Sequence, residues 1–293
     1  MSMPRLMTAM VTPYNDNLEV DYSKAQELAE YLCDNGTEGI VVSGTTGESP
    51  VLSFEEKLGL FTAVVNRVGE RVPVWGGTGS NNTKQSVELS RQAEKCGVDG
   101  IMLVAPYYNK PTQEGLYQHF KQIADSVSVP VMLYNVPGRT SSNLLPSTVA
   151  RLAEIENIVA IKEASGNMDQ VSEIKKLVSD KMIIYSGDDS LTLPLMALGA
   201  HGVVSIASHL VGKDIRQMIE AFQKGAIEEA LDIHLKLFPL FKGLFVTTNP
   251  VPLKEALNLL GKKVGGFRLP LSPAGEEEKT FLRDLLKSYD MIK

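Results

Sequence analysis

Three stretches of this 293-residue chain set nucleophilic, acid–base or anion-binding side chains beside glycines. One is Ile158-Val159-Ala160-Ile161-Lys162-Glu163-Ala164-Ser165-Gly166. Strand alternation puts Lys162 on the face of Ile158 and Ala160, and Glu163 on the other. If the Lys162 face is interior, burial favours the neutral amine, a nucleophile toward carbonyl carbon. The plainer alternative is a strand-end lysine that reaches water along its stem, or pairs with Asp188 or Asp189. A second stretch is Tyr134-Asn135-Val136-Pro137-Gly138-Arg139-Thr140. A strand-end phenol at Tyr134 can relay a proton, and Arg139 can grip a carboxylate bidentately. Packed individually, they would be a core tyrosine and a solvated arginine. The third, Gly44-Thr45-Thr46-Gly47-Glu48, offers two hydroxyls and open backbone N–H groups, a cradle for a carboxylate or an ordinary Gly/Thr turn. It lacks the Gly-Lys-Ser/Thr ending of a nucleotide-binding P-loop.

Other signals are weaker. Tyr107 and Tyr108, in Pro106-Tyr107-Tyr108-Asn109-Lys110-Pro111, suit either a subunit contact or a site. Asp188-Asp189 reads as a loop or helix cap, since no histidine or further carboxylate stands at a supporting spacing for a divalent metal. His119, His201, His209 and His234 form no HExxH or His/Cys cluster. Gly76-Gly77-Thr78-Gly79 reads as a tight strand-to-helix turn.

The elements that must position these residues follow a period. Apolar, β-rich runs occur at Thr8–Val11, Gly39–Val42, Val74–Gly77, Ile101–Ala105, Val131–Asn135, Val159–Glu163, Ile183–Gly187 and Gly202–Ile206. Several are apolar on both faces, as strands of a helix-covered parallel sheet are. Helical segments lie between them: one after Asp21 ending at Gly36, one from the Ser53-Phe54-Glu55-Glu56 capping box to Gly69, then Asn82 to Gly97 and Thr112 to Ser126. Eight strand–helix units by about residue 225 predict an α/β fold, a (β/α)8 TIM barrel over 1–225. A doubly wound sheet ranks second. Residues 226–293 carry only helical periodicity, at Ala226–Phe238, Pro252–Leu260 and Glu276–Ser288, the last with Phe281, Leu282, Leu285 and Leu286 as its apolar side. They are expected to form a C-terminal helical appendage packed on the barrel.

Composition bounds the partners. Hydrophobic residues make up 43% and charged residues 22%, and the net charge is −6 without a Lys/Arg run, which argues against nucleic acid and anionic membrane. No apolar run is long enough to span a bilayer. Two cysteines, Cys33 and Cys96, give no disulfide framework. The first ten residues carry Arg5 without an apolar stretch, so no secretory leader is expected and the cytoplasm is the expected location.

The three glycine-flanked stretches together resemble the 4-hydroxy-tetrahydrodipicolinate (dihydrodipicolinate) synthase family, among the pyruvate-dependent class I aldolases that include N-acetylneuraminate lyase. The likeness runs from about Leu6 to Leu271 and takes in Pro106–Pro111, Gly187-Asp188-Asp189 and Asn249-Pro250-Val251-Pro252. Thr45-Thr46, the tyrosines and Arg139 favour the synthase branch. The resemblance implies that Lys162 forms an imine with C2 of pyruvate, and that the resulting enamine attacks L-aspartate 4-semialdehyde, in lysine and diaminopimelate biosynthesis. It implies a proton relay of Tyr134, Thr45 and Tyr108, the last from a neighbouring subunit. Thr46 would bind the pyruvate carboxylate and Arg139 that of the semialdehyde, with Val204 beside the pyruvate site and Gly187 among the substrate-binding residues. No metal or organic cofactor is implied, and a homotetramer of tight dimers is. Relatives inhibited by L-lysine bind it at the tight-dimer interface, commonly with a His and a Glu. Here the corresponding places hold Phe54, Lys57 and Gln85, with Pro50 after Ser49, while Asn81 and Tyr107 are retained. A cation at Lys57 and a neutral Gln85 disfavour an ammonium ligand, so weak or absent feedback is expected. The competing readings are a pyruvate aldolase or lyase acting on a keto-sugar acid, a non-catalytic pyruvate sensor, and a phosphate-binding barrel isomerase, for which Ser205-Ile206-Ala207-Ser208-His209 supplies no convincing phosphate cup.

Overall fold

The apolar runs become eight parallel strands, β1 (Leu6–Ala9), β2 (Gly39–Val42), β3 (Val74–Gly77), β4 (Gly100–Val104), β5 (Val131–Asn135), β6 (Ile158–Glu163), β7 (Ile183–Ser186) and β8 (Gly202–Ser205). The structure, a computed structural model, describes residues 3–293; Met1 and Ser2, with which the expected barrel range begins, lie outside the described residues. Consecutive strands pair, and β8 closes on β1, so the sheet is a closed barrel. Nearly every strand residue is buried whichever way it points, because helices cover the outer surface and side chains fill the inside.

The helices begin where the capping chemistry requires. Asp21, Asn82 and Thr112 each accept a backbone N–H three residues on, and Ser53 and Glu56 form a reciprocal capping box at the head of Phe54–Val68. The barrel's β8 leads into Ser208–Gln223, after which the chain makes the helices Ile227–Gly243, Val251–Leu259 and Glu276–Ser288.

Three expectations are corrected. The first strand lies two residues earlier than Thr8–Val11: Met10 still donates to Val41 O, but Met10 and Val11 leave the ladder while remaining buried, so apolarity there marks a buried loop. The helix expected to stop at Phe238 continues through Pro239 to Gly243, since burial of Leu240 and Phe241 outweighs the hydrogen bond that proline removes. In the last helix Leu282, Leu285 and Leu286 are buried, whereas Phe281 is exposed. Among the described residues no helix is long and apolar enough to cross a membrane.

The register that matters most joins β5 to β6. Tyr134 stands opposite Lys162, and Asn135 opposite Glu163, at the C-terminal ends of both strands.

Candidate active site

Lys162 ends the interior-facing series of β6 and is 5% exposed. Its Nζ sits 4.3 Å from the centroid of the Tyr134 ring. It makes no hydrogen bond or ion pair with any described residue, so pairing with Asp188 or Asp189, the plain alternative, is not adopted. Burial pushes its ammonium down from 10.5 to about 8; the negative Asp189 opposes this and Arg139 adds to it. A buried amine that gives up its proton more readily than a solvated lysine supplies, in its neutral form, the nucleophile that imine chemistry requires.

The Tyr134 hydroxyl is pushed in the opposite direction. Burial raises its pKa, while the Arg139 charge and the neighbouring Thr45 hydroxyl lower it. The phenol therefore stays protonated at neutral pH and can donate and accept a proton beside the amine. Thr45, Tyr134 and Arg139 line one cavity of about 210 Å³ together with Ser43, Val104 and Thr140. Arg139 follows β5 in the short helical turn Pro137–Thr140, and its guanidinium engages no carboxylate among the described residues, which leaves it available to an acid.

Glycine at 187 is enforced by Ala164, with the Lys162 side chain close behind. A Cβ there would come within 2.6 Å of the Ala164 side chain and 3.2 Å of Lys162 Cε. Gly77 plays a similar part, since a Cβ on it would meet Ser43 O at 2.3 Å. Val204 is buried in β8 opposite Met7. Thr46 is buried beside Thr45, and its Oγ1 accepts a hydrogen bond from Asn249 Nδ2 at 3.0 Å.

Ser49, Pro50, Lys57 and Tyr107 line the outer part of the same cavity. Asn81 donates to Tyr107 O at 3.2 Å. Gln85 is separate: it lies exposed in the first turn of Thr83–Lys95 and does not line the cavity. Burial pushes the Lys57 ammonium down. Tyr108 is 89% exposed on a left-handed backbone with φ +73°, so within one chain it points away from Lys162's surroundings into solvent.

Five residues, Glu163, Asp189, His209, Lys254 and Glu48, take supporting roles that their local spacing does not assign. Glu163 holds the strand ends from behind, accepting Asn135 Nδ2 at 3.0 Å, Gln170 Nε2 at 3.3 Å and Ser165 N at 2.7 Å. Asp188 is a cap, as expected, accepting Ser190 N. Asp189 is instead a buried anchor: Ser205 Oγ and the N–H groups of Ile206 and Ala207 donate to it, tying β7 to β8. His209 is held neutral by burial, with its pKa lowered to about 4, and its Nε2 accepts Val11 N–H while Nδ1 donates to Ile206 O. Lys254 and Glu48 form an ion pair at 2.9 Å. Glu48 closes the Gly44–Glu48 stretch and Asn249 opens Asn249-Pro250-Val251-Pro252, but no local signal pairs either with a residue two hundred positions away.

A parallel eight-stranded barrel with a desolvated lysine, a protonated phenol and a free guanidinium at the strand ends defines a barrel protein built for amine-to-carbonyl chemistry on acidic molecules. The dihydrodipicolinate synthetase family model matches residues 2–289, and the chain belongs to that family. It is 59% identical over 99% of its length, and 97% of the relative's, to a 4-hydroxy-tetrahydrodipicolinate synthase of Heliobacterium modesticaldum. A dihydrodipicolinate synthase crystal structure from Bacillus anthracis superposes with a TM-score of 0.96 at 52% identity, covering 98% of this chain and 99% of that one. Another, from Cyanidioschyzon merolae with lysine bound, gives 0.97 at 46% identity, covering 98% of each.

Proposed function

We propose that the protein condenses pyruvate with L-aspartate 4-semialdehyde through a lysine imine, giving 4-hydroxy-tetrahydrodipicolinate in lysine and diaminopimelate biosynthesis. The observation that carries this is the unpaired, desolvated Lys162 amine set over the Tyr134 ring at the barrel's strand ends. The family and the full-length likeness to a synthase support the substrate pair.

In this reading neutral Lys162 adds to C2 of pyruvate, and loss of water gives the protonated imine. Tyr134 and Thr45 carry the protons for these transfers. Loss of a proton from C3 yields the enamine, whose carbon attacks the aldehyde and forms the new C–C bond. The amine of the semialdehyde then adds to the imine carbon and expels Lys162 as the ring closes, so the enzyme amine is regenerated. Thr46 and nearby backbone amides hold the pyruvate carboxylate, Arg139 holds that of the semialdehyde, and Gly187 and Val204 shape the space beside pyruvate. The net charge of −6 gives no global attraction for these anions, so their binding is local.

Tyr108 would complete the relay from a neighbouring subunit of a homotetramer; its exposure and left-handed backbone support that role. Catalysis is assigned to the barrel, residues 1–225, with 226–293 as an appendage on it, and the location to the cytoplasm. Feedback by L-lysine is proposed to be weak or absent because Lys57 places a cation in the outer cavity. The bound lysine belongs to the Cyanidioschyzon merolae relative.

Borohydride reduction in the presence of pyruvate, followed by peptide mass mapping, tests the class. A pyruvyl adduct on Lys162 is expected, and no adduct, or one on another lysine, overturns the assignment. Product formation with aspartate semialdehyde, compared with keto-sugar acids as alternative substrates, then tests the substrate.

A further inference from the structure

The loop that carries Thr45 and Thr46 is held from the C-terminal part of the chain at three points. Asn249 Nδ2 donates to Thr46 Oγ1 at 3.0 Å. Lys254 Nζ donates to Glu48 Oε1 at 2.9 Å, to Thr12 O at 3.0 Å and to Gly266 O at 2.6 Å. Arg268 N approaches Glu48 Oε2 at 3.4 Å. Both ends of the Lys254–Glu48 pair are wholly buried, and the rings of Tyr14 and Phe267 flank the ammonium at 4.2 and 5.2 Å. The loop is therefore fixed in place by residues about two hundred positions further along the chain.

The Asn249 contact has a polarity. A hydroxyl carries one proton and can both accept and donate. Asn249 is buried, with Oδ1 unpartnered, while the amide nitrogen faces Thr46. As placed, one amide N–H is used and the other N–H and Oδ1 are not; turning the amide over would leave both N–H groups without an acceptor among the described residues, and an orphaned buried N–H is the rarer and worse of the two. So Thr46 Oγ1 accepts from Asn249, and its own proton is not used by any other described group.

We propose that Asn249 is a positioning residue: by donating to Thr46 Oγ1 it dedicates the Thr46 hydroxyl proton to the carboxylate of the keto-acid substrate. The proposal rests on the reading that Thr46 binds that carboxylate. Asn249 does not touch the substrate. It sets which way a neighbouring hydroxyl points, and so favours an anionic acceptor over a neutral one.

The test compares Asn249→Asp, Asn249→Ala and Thr46→Val in borohydride trapping with pyruvate and with hydroxyacetone, a ketone without the carboxylate. Asn249→Asp turns the donor into an acceptor that captures the Thr46 proton. It is expected to raise the half-saturating pyruvate concentration about tenfold or more, the scale of one hydrogen bond to a charged group. Asn249→Ala leaves the hydroxyl free to rotate and raises it less. Trapping with hydroxyacetone changes little in either variant, and Asn249→Asp adds nothing on top of Thr46→Val. Equal loss for pyruvate and hydroxyacetone means a purely structural effect and overturns the proposal. If Thr46→Val weakens pyruvate binding but Asn249→Asp does not, the proposal alone fails. If Thr46→Val has no effect, the carboxylate reading of Thr46 fails and takes the proposal with it.

Discussion

Asn135 donates to Glu163 across β5 and β6 at 3.0 Å, one residue beyond Tyr134 and Lys162 on the same two strands. Because strand side chains alternate, this pair lies on the opposite face from the amine and the phenol and ties the same backbone from behind. Asn143 and Gln170 extend it: Asn135 Nδ2 also reaches Asn143 Oδ1 at 2.9 Å, and Gln170 Nε2 reaches Glu163 at 3.3 Å.

Glu163→Gln should therefore cost both stability and rate. The new amide sets an N–H against the N–H groups of Asn135 or Gln170, and a buried donor left unpartnered costs about 1–3 kcal/mol. Denaturant unfolding should show that loss, and trapping at saturating pyruvate should slow as β6 relaxes. A variant with native stability and native trapping rate would show that the network does not hold Lys162 in place.

The lysine itself sets a pH dependence. With its pKa lowered to about 8, the amine is neutral in the native protein at a pH where a solvated lysine is still charged. The rate of imine trapping at limiting pyruvate should rise with pH and level off above about 8. A profile still climbing at pH 10 would mean that the amine is not desolvated.

The same shift has a stability sign. A lowered folded-state pKa means that the unfolded chain binds more protons between about 8 and 10.5, so native stability rises with pH across that window. Below it the buried ammonium is a standing penalty of roughly 3 kcal/mol at 1.36 kcal/mol per pK unit. Lys162→Met is expected to lose imine formation and to be more stable than the native protein at pH 7, with the advantage shrinking as pH rises through the window. Melting curves at pH 7 and pH 10 check this, and a less stable variant at pH 7 would refute it.

How much of this was legible before folding depends on the range of each interaction. The strands at 39–42, 74–77 and 131–135 and the capping box at Ser53 come from local alternation and local hydrogen bonds, and the structure has them at those positions. Lys162, Tyr134 and Thr45 were legible as strand-end chemistry because barrel strands all point one way, so short motifs end on the same rim. Asp189 read as a cap beside Asp188, yet it is a buried acceptor for strand eight, since burial is not encoded in a loop dipeptide. Lys254 carries no local mark within the helix expected at Pro252–Leu260. Its partner stands 206 residues earlier, and no periodicity links such positions.

The outer cavity bears on regulation. Lys57 lines it, so the ammonium of a bound L-lysine would meet a like charge in a poorly solvated space. Titration calorimetry should show no binding of submillimolar L-lysine, and turnover should be unchanged. Lys57→Gln should lower that barrier and strengthen any residual binding. Strong inhibition of the native protein by submillimolar L-lysine would contradict this reading.

The Lys254–Glu48 pair allows the sharpest stability test. Both side chains are fully buried, and among the described residues Glu48 accepts only the longer Arg268 N–H contact besides Lys254. Lys254→Met leaves a carboxylate in the interior without its cation, and removing one partner of such a pair costs about 3–5 kcal/mol. Adding Glu48→Gln removes the orphaned charge, so the double variant should be more stable than Lys254→Met alone, with a coupling well above additivity. Because Glu48 follows Thr45 and Thr46 in the same loop, Lys254→Met should also raise the half-saturating pyruvate concentration, and the double variant should regain part of it. Additive losses in denaturant unfolding would mean that the two groups are not coupled and that the loop is held by its other contacts.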